Sequence, residues 1–491
     1  MSVRSRRRLV AVVAPVCALL LARAASAQVP TPTVEGPITS PGAIFLQATS
    51  FDPAQVGYVQ EEYFISGTAS AFTNVGPLGL DGKWTVTPGA TAPYKTRVVV
   101  FRPIDRKKFN GTVIVEWLNV SGGVDASPDW TQGHTALIRD GFAWVGVSAQ
   151  YVGVEGGPGL VNVISLPLKT ANPARYGTLS HPGDSFSYDI FSQAGSLARP
   201  AANQRILGDL KVKRVIAAGE SQSAFRMVNY IDAIHPIAHL FDGYFVHSRF
   251  AFGAPLSEAP QPAINPPGAA QIRSDLDVPV LTLETESDLT FPVVGYFAAR
   301  QEDSEGFRLW EVAGTSHADW YLTNGTADIG KTPDFAGIGL TSSPVPGIVD
   351  CPSAINSGPQ HFVVSAAMVA LDRWVRTGKP PKSAPRLEVA AGPPPAITRD
   401  ANGNALGGIR TPQVDVPIAA FTGNQGGSLL CQLFGTTTPF DDAKLAALYP
   451  THKAFIAAYN KAIKRSAKNG WILKPDAKLM KKWAAGSGIG G

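Results

Sequence analysis

The chain has 491 residues, with 43 Lys and Arg against 38 Asp and Glu, which gives a formal net charge of +5 at pH 7. Five arginines and no acidic residue lie in residues 1–27, so the rest of the chain is formally neutral, with 38 basic (43 − 5) and 38 acidic residues. This balance excludes the basic composition typical of nucleic-acid-binding proteins, and we expect no nucleic-acid partner. A composition of 44% apolar and 16% charged residues favours a large buried core.

Residues 1–27 have the pattern of a secretory signal peptide. Arginines precede an apolar run from Leu9 to Ala22, and Ala25-Ser26-Ala27 forms a small-residue cleavage site. The run is shorter than the roughly 20 residues that cross a bilayer, so we expect an exported, soluble protein, periplasmic or extracellular, without a stable membrane anchor. Ser5-Arg6-Arg7-Arg8-Leu9-Val10 fits a twin-arginine signal about as well as a general secretory one.

Apolar runs rich in Val and Ile predict the strands of a sheet. Because runs that are apolar at nearly every position are typical of strands covered on both faces, they indicate a mostly parallel sheet. Helical segments at residues 223–233 and 292–302 alternate with the strands, which predicts a three-layer α/β architecture with its site at the carboxyl ends of the strands. The predicted strands are Arg97–Phe101, Thr112–Trp117, Phe142–Ser148, Arg214–Ala218, Gly243–His247, Val278–Leu283 and Phe307–Ala313.

Two later helices are predicted at His361–Thr377 and Thr451–Lys468 from apolar residues spaced three and four apart. The basic residues after Thr451 are interpreted as a solvated helix face. We expect residues 28–491 to form a single domain, because no repeat, charge block or long linker interrupts them. Its catalytic core would span about 90–317, and residues 318–360 and 379–491 would form a lid or additional elements.

The sequence Gly219-Glu220-Ser221-Gln222-Ser223 lies between a predicted strand and a predicted helix. This G-x-S-x-S pattern differs by one residue from the G-x-S-x-G nucleophile elbow, where a tight turn exposes a serine hydroxyl at the sheet edge. Ser221 is therefore the candidate nucleophile, and the backbone N–H of Gln222 would face a developing oxyanion. An ordinary strand-to-helix turn is the alternative interpretation.

Partners for a nucleophilic serine follow in the order acid, then histidine, at the ends of later strands. His317 follows the strand Phe307–Ala313 and would act as the general base. Asp288 is the preferred acid, because a turn of about four residues after a strand usually presents the acid in this architecture. Glu286 is the alternative acid, and Glu284 is less favoured.

Further candidates line the expected pocket. A glycine-containing loop follows Thr112–Trp117, and the backbone N–H of Asn119 or Val120 would supply a second oxyanion donor. Trp130, Trp320 and Tyr321 are candidate substrate-binding residues of the pocket walls, although isolated aromatic residues more often pack in the core.

Cysteine and histidine patterns bear on disulfides and metals. Cys351 and Cys431 remain after the signal segment, and in an oxidising compartment they predict one disulfide; two unrelated buried thiols are the alternative. We expect no metal site, on the premise that the chain has no C-x-x-C, H-x-x-x-H or H-E-x-x-H pattern. His235 and His239 are interpreted as capping or surface residues.

These motifs resemble those of the α/β-hydrolase superfamily, and within it the large exported bacterial α/β-hydrolase-domain proteins. The resemblance rests on Glu116-Trp117-Leu118-Asn119-Val120-Ser121-Gly122-Gly123, Gly219–Ser223, Leu283–Asp288 and Gly314–His317. It implies an α/β-hydrolase fold and a Ser-His-acid hydrolase that acts on carboxylic esters without a cofactor. Ser221, His317 and Asp288 would carry the family's roles, whereas Ser223 departs from the usual glycine.

The sequence therefore predicts a secreted serine esterase that acts on a small-molecule ester through an acyl-enzyme. A non-catalytic binding protein with the same fold is one alternative, and an acyltransferase that uses the same residues is another. The sequence indicates neither the acyl and alcohol groups nor the oligomeric state.

Overall fold

The protein is described by a computed structural model that covers residues 29–161, 165–292, 295–390, 392 and 394–491. The predicted signal peptide, residues 1–27, lies outside the described residues. Within those ranges, no helix combines the length and the hydropathy that crossing a membrane requires.

A central sheet of nine strands organises the described residues. The strands are β1 (Thr33–Glu35), β2 (Tyr58–Asn74), β3 (Val86–Pro103), β4 (Thr112–Trp117), β5 (Ala143–Val147), β6 (Arg214–Glu220), β7 (Gly243–His247), β8 (Val280–Glu284) and β9 (Phe307–Glu311). They lie in the order β1-β2-β3-β5-β4-β6-β7-β8-β9. Pairing is antiparallel from β1 to β5 and parallel from β5 to β9, which confirms the predicted, mostly parallel sheet.

The predicted strands all form, and two of them, β4 and β7, have the predicted ends. Strands β1 and β2 and the first part of β3 were not predicted from the sequence. Strands β2 and β3 are long, and they pair along the whole of β2, from Tyr58 to Asn74, as an antiparallel ribbon. Pro88, Gly89 and Pro93 in β3 are typical of a loop, and they are tolerated here because this part of the ribbon is largely exposed.

The α-helices connect the strands and build the C-terminal part. They are α1 (Pro128–Arg139), α2 (Tyr151–Val154), α3 (Leu168–Ala171), α4 (Pro173–Tyr176), α5 (Ser187–Ser196), α6 (Gln204–Leu207), α7 (Gln222–Asn229), α8 (His235–Ala238), α9 (Glu286–Thr290), α10 (Trp320–Asn324), α11 (Gln360–Thr377), α12 (Pro412–Asp415), α13 (Leu429–Phe434), α14 (Asp442–Leu448), α15 (His452–Asn469) and α16 (Lys474–Gly486). Two short two-stranded sheets, β10 (Val389–Ala390) with β11 (Ala396–Ile397) and β12 (Ala419–Thr422) with β13 (Thr436–Pro439), lie between them.

Three of the four predicted helices form. The segment 223–233 becomes α7, which a π-helical turn at Tyr230–Ile234 joins to α8, and the two later helices become α11 and α15. The helix predicted at 292–302 is wrong in the described part of that segment, where Tyr296–Ala299 forms one short 3-10 turn. Gly295 before that turn is extended, and glycine is a poor helix former.

Alternate residues of the central strands face opposite helical layers. Val113 and Val115 of β4 pack in a buried apolar cluster with residues of α5 and α7. Ile114 packs in a second cluster with residues of α1 and α11. The sheet is therefore covered on both faces, and the loops at the carboxyl ends of β6, β8 and β9 project from a rigid base.

Candidate active site

Ser221 lies at a sharp turn between β6 and α7. Its backbone has φ 56° and ψ −121°, a conformation that is strained for any residue other than glycine. The N–H of Ser221 donates a hydrogen bond to the carbonyl of His247 at the end of the neighbouring strand, at 2.9 Å. Sheet and helix together hold the strained turn, which places the serine at the carboxyl edge of the sheet.

Close packing in the turn requires glycine at position 219 of the elbow motif. A Cβ on Gly219 would lie 2.9 Å from the carbonyl oxygen of Ser223, so a larger residue does not fit without a backbone shift. The Ser223 side chain is fully buried, and its hydroxyl has no hydrogen-bond partner among the described residues. The turn therefore accommodates serine where the usual motif has glycine, without giving the hydroxyl a polar contact.

Ser221, His317 and Asp288 form a chain of short hydrogen bonds. His317 Nε2 lies 2.7 Å from Ser221 Oγ, and His317 Nδ1 lies 2.6 Å from Asp288 Oδ1. The other carboxylate oxygen of Asp288 accepts hydrogen bonds from the N–H and the hydroxyl of Thr285, both at 2.7 Å. This arrangement can move a proton from the serine hydroxyl to an imidazole whose other nitrogen faces a carboxylate.

The charges of the site favour an ionised acid beside a basic imidazole. Burial raises the pKa of Asp288, but the nearby His317 and the hydrogen bonds from His317 and Thr285 lower it, and the net pKa lies below the ordinary value. Burial lowers the pKa of His317, but Asp288 and Glu220 raise it, and the net pKa lies above the ordinary value. A carboxylate is thus present at neutral pH to stabilise an imidazolium.

The imidazole of His317 is held from several sides. Its backbone N–H donates to the hydroxyl of Ser287 at 2.7 Å. The ring of Phe250 stacks on the imidazole with a centroid distance of 5.5 Å and an interplanar angle of 6°. His317, which follows β9, is therefore oriented by α9, which carries Ser287 and Asp288, and by Phe250 in the loop after β7.

Glu286, the alternative acid of the sequence analysis, has different partners. Its carboxylate accepts hydrogen bonds from Gly314 N at 2.6 Å, from Arg399 at 2.8 Å and from Gly423 N at 3.2 Å. These contacts use both carboxylate oxygens and tie the loop that carries His317 to the C-terminal part of the chain. The Glu284 side chain is buried, and burial raises its pKa well above the ordinary value. Among the described residues, neither Glu286 nor Glu284 is hydrogen-bonded to His317, so the geometry favours Asp288 as the acid.

Glu220 is a residue that the sequence analysis did not single out. Its carboxylate lies 3.6 Å from His317 Nε2 and accepts a hydrogen bond from Asn119 Nδ2 at 3.0 Å. Burial raises the pKa of Glu220 to about 7, although the neighbouring His317 and His247 lower it. Its position next to Ser221 in the motif is the signal in the sequence that would have pointed to it.

The candidate oxyanion donors differ in availability. The backbone N–H of Asn119 donates to the carbonyl of Ala126 at 2.9 Å, so the prediction of Asn119 as a backbone donor is wrong. Neither the N–H of Val120 nor that of Gln222 donates a hydrogen bond to any residue that the structure describes. Gln222 is also the first residue of α7, whose N-terminus favours a negative charge.

Sequence comparison assigns the family. The family model described as "Alpha/beta hydrolase domain" matches residues 29–482, which is most of the chain. The chain belongs to the α/β hydrolase family. None of the curated proteins compared with this hydrolase matches its sequence.

Solved structures similar to this hydrolase share little sequence with it. A serine hydrolase without a lid from Xanthomonas campestris is 15% identical to this chain. The match covers 51% of this chain and 86% of the Xanthomonas chain, with a TM-score of 0.28. A glucuronoyl esterase from Solibacter usitatus is 11% identical, and the match covers 56% of this chain and 70% of the esterase, with a TM-score of 0.27. A rice cell wall degrading esterase from Xanthomonas oryzae is 13% identical, and the match covers 44% of this chain and 50% of that esterase, with a TM-score of 0.23.

The aromatic residues that the sequence analysis placed at the pocket have other positions in the hydrolase. Trp130 is buried and stacks on Phe101 at 4.4 Å, and Tyr321 is buried and stacks on His361 at 3.7 Å. Both are core residues, so their prediction as pocket walls is wrong. Trp320 is half-buried and packs on Phe335, and its contact with a substrate stays a prediction.

A different set of apolar side chains lies beside the imidazole. Phe250, which stacks on His317, belongs to a small cluster separate from the main core. We call this cluster the phenylalanine wall; it consists of Phe225, Phe250, Phe252, Ala254, Phe291 and Leu433. Contacts among residues that are far apart in the sequence build the wall, so no local pattern predicts it.

The predicted disulfide is confirmed. Cys351 and Cys431 are bonded, and Cys431 lies in α13. The last residues of α13 contact the His317 loop: the carbonyl of Leu433 accepts a hydrogen bond from Ala318 N at 3.0 Å. The carbonyl of Phe434 accepts one from the hydroxyl of Ser316 at 3.1 Å. The disulfide therefore fixes a helix that supports the segment on both sides of His317.

Proposed function

We propose that this hydrolase is an exported serine esterase that cleaves carboxylic esters through Ser221, His317 and Asp288. The observation that carries the proposal is the continuous hydrogen-bonded chain from the Asp288 carboxylate through the imidazole to the Ser221 hydroxyl. It supports nucleophilic catalysis because a serine hydroxyl needs an adjacent base, and that base needs a group that fixes its tautomer.

The reaction would begin with attack of Ser221 Oγ on the ester carbonyl. His317 Nε2 takes the hydroxyl proton, and Asp288 stabilises the imidazolium through Nδ1–H. The N–H groups of Val120 and Gln222 donate to the oxyanion of the tetrahedral intermediate. His317 then returns the proton to the leaving alcohol, which leaves an acyl group on Ser221. A water molecule deprotonated by His317 attacks this acyl-enzyme, releases the acid and restores the serine.

The cellular location is part of the proposal. A disulfide between Cys351 and Cys431 supports an oxidising compartment, because disulfides are rare in the reducing cytosol. Together with the pattern of residues 1–27, it supports export to the periplasm or the extracellular space.

A fluorophosphonate probe tests the nucleophile, because it reacts covalently with an activated serine. We expect one adduct per chain by intact mass in the wild type and none in Ser221→Ala. Ser223→Ala is the matched control, since it removes a buried hydroxyl two residues away and should label like the wild type. Labelling that persists in Ser221→Ala, or no labelling of the wild type, would contradict the proposed nucleophile.

A series of p-nitrophenyl esters of increasing acyl length, with an aromatic ester added, tests the reaction. The phenylalanine wall beside His317 supports esters with an apolar group, so we expect kcat/KM to rise from the acetate to longer or aromatic acyl groups. Labelling without turnover of any ester would favour a binding protein. Faster transfer of the acyl group to an added alcohol than to water would favour an acyltransferase.

A further inference from the structure

A group of metal-ligating side chains lies at the opposite edge of the sheet from Ser221. His235 begins α8, His239 follows this helix, and Asp277 precedes β8. Ser221 follows the carboxyl end of β6, whereas Asp277 lies before the amino end of β8, a parallel strand two positions away. Because a strand of five residues, such as β8, is roughly 16 Å long, the group is remote from the candidate active site.

The ligand atoms of this group converge. His235 Nε2 lies 2.9 Å from Asp277 Oδ1, and His239 Nδ1 lies 3.8 Å from Asp277 Oδ2. The three ligand atoms lie within 4.8 Å of one another, and in the described part of the chain no other three His, Cys, Asp or Glu residues meet this criterion. Zinc bonds of about 2.0–2.2 Å in a tetrahedral site place neighbouring ligand atoms about 3.3 Å apart, which the observed distances bracket.

We propose that His235, His239 and Asp277 bind a divalent transition-metal cation of the zinc type. Two imidazoles and one carboxylate are the ligands that such cations prefer, and a water would occupy the fourth position. The expectation of no metal site rested on the premise that the chain has no H-x-x-x-H pattern, and that premise is wrong, because His235 and His239 form one.

The surroundings of His235 suit a metal ligand. The hydroxyl of Tyr244, a buried residue of β7, lies 2.9 Å from His235 Nδ1. With the metal absent, Nε2–H donates to Asp277, and Nδ1 accepts from the tyrosine hydroxyl. With the metal bound at Nε2, the ring proton lies on Nδ1 and is donated to the tyrosine oxygen. A hydrogen bond to the nitrogen that does not bind the metal orients a ligating imidazole and fixes its tautomer.

The site is open to an ion from solution. The side chains of His239 and Asp277 are 48% and 67% exposed, whereas that of His235 is 3% exposed. Asp277 also lines a surface cleft of about 570 Å³ at the amino edge of the sheet. The buried imidazole would serve as a fixed anchor, and the two exposed ligands would close on the metal. A bound ion would link α8 to the segment before β8.

Zinc titration of the chelator-treated, untagged chain by calorimetry tests the proposal. We expect one saturable zinc per wild-type chain and its loss in His239→Ala and Asp277→Asn. Tyr244→Phe should bind zinc 10- to 100-fold more weakly, as is typical when a ligating imidazole loses the hydrogen bond to its other nitrogen. Cobalt should give the visible absorption of a tetrahedral site in the wild type but not in His239→Ala.

Two controls separate this site from other histidines and from the esterase. His452→Ala should bind zinc like the wild type, because both ring nitrogens of His452 contact backbone carbonyls elsewhere. Ser221→Ala should also bind zinc normally, since the two sites lie at opposite edges of the sheet. Absence of saturable zinc binding in the wild type, or unchanged binding in both His239→Ala and Asp277→Asn, would overturn the proposal.

Discussion

The Glu220 carboxylate lies 3.6 Å from His317 Nε2, the same nitrogen that contacts the Ser221 hydroxyl. Burial raises the pKa of Glu220 to about 7. Burial lowers the pKa of His317, whereas Asp288 and Glu220 raise it. Because the two groups interact, the acidic limb of the pH–rate profile reports the titration of the pair and not of the histidine alone.

Glu220→Gln should shift this acidic limb to lower pH. The amide keeps the shape of the side chain and an oxygen that can accept from Asn119, but it removes the negative charge that raises the pKa of His317. On the plateau at higher pH the loss of kcat should be far smaller than the roughly 10⁴-fold loss expected for a disabled triad. The measurement is kcat/KM for one ester between pH 5 and 9.

The same variant should change stability with a defined sign. A carboxyl whose pKa is raised to about 7 in the folded state holds its proton more tightly than in the unfolded chain. The wild type therefore loses stability from this group as pH rises from its unfolded pKa to about 7, and Glu220→Gln does not. Urea unfolding at pH 4.5 and 7.5 should show a larger advantage of the variant at pH 7.5. The same dependence of the free energy of unfolding on pH in Glu220→Gln and the wild type would contradict the raised pKa of Glu220.

Asp288→Asn should mainly lower activity, whereas Glu286→Gln should mainly lower stability. Asp288 contacts His317 Nδ1, so its amide should favour the wrong tautomer and lower kcat by about 10⁴-fold. Glu286 instead accepts from Gly314 N and Arg399, so Glu286→Gln should lower the free energy of unfolding by about 1–3 kcal/mol and leave kcat largely intact. Steady-state kinetics and urea unfolding of both variants measure the two effects. A large loss of kcat in Glu286→Gln with full activity in Asp288→Asn would reverse the assignment of the acid.

The residues that the sequence could predict are those with local signals. Ser221 lies in a strand–turn–helix motif, and Asp288 and His317 follow apolar runs in a fixed order, so the parallel sheet brings them to one edge. The roles of Trp130 and Tyr321 depend on stacking partners in other elements, which no local pattern specifies.

The same distinction holds for the fold. The buried parallel strands are continuous apolar runs and are predicted close to their observed ends. The ribbon of β2 and β3 was largely missed because Gly67, Pro88 and Pro93 interrupt its pattern, and its pairing is stabilised by contacts between strands. The ion pair of Glu286 with Arg399 could not be predicted either, because Arg399 lies far away in the sequence.

Gly219→Ala and Ser223→Ala should separate steric fit from polarity at the elbow. A Cβ at position 219 would lie 2.9 Å from the Ser223 carbonyl oxygen, so Gly219→Ala must displace the turn. We expect it to lower the free energy of unfolding by about 1–3 kcal/mol and kcat by about 100-fold, since small displacements of a nucleophile are costly. Ser223→Ala removes a buried hydroxyl without a partner among the described residues and should leave stability unchanged or raise it by about 1 kcal/mol. Equal stability and activity of Gly219→Ala and the wild type would contradict the steric argument.

Loss of the Cys351–Cys431 disulfide should lower both stability and the thermal limit of activity. The bond closes a loop with a sequence separation of 80, for which chain entropy gives about 4.5 kcal/mol of stabilisation. The double variant Cys351→Ala with Cys431→Ala should therefore melt at a lower temperature, and a reductant should have no further effect on it. Since α13 contacts Ala318 N and the hydroxyl of Ser316, ester hydrolysis should fail at a lower temperature than in the oxidised wild type. Calorimetry and initial rates from 20 to 60 °C measure both effects. Equal melting temperatures for the double variant and the oxidised wild type would show that α13 is held by packing alone.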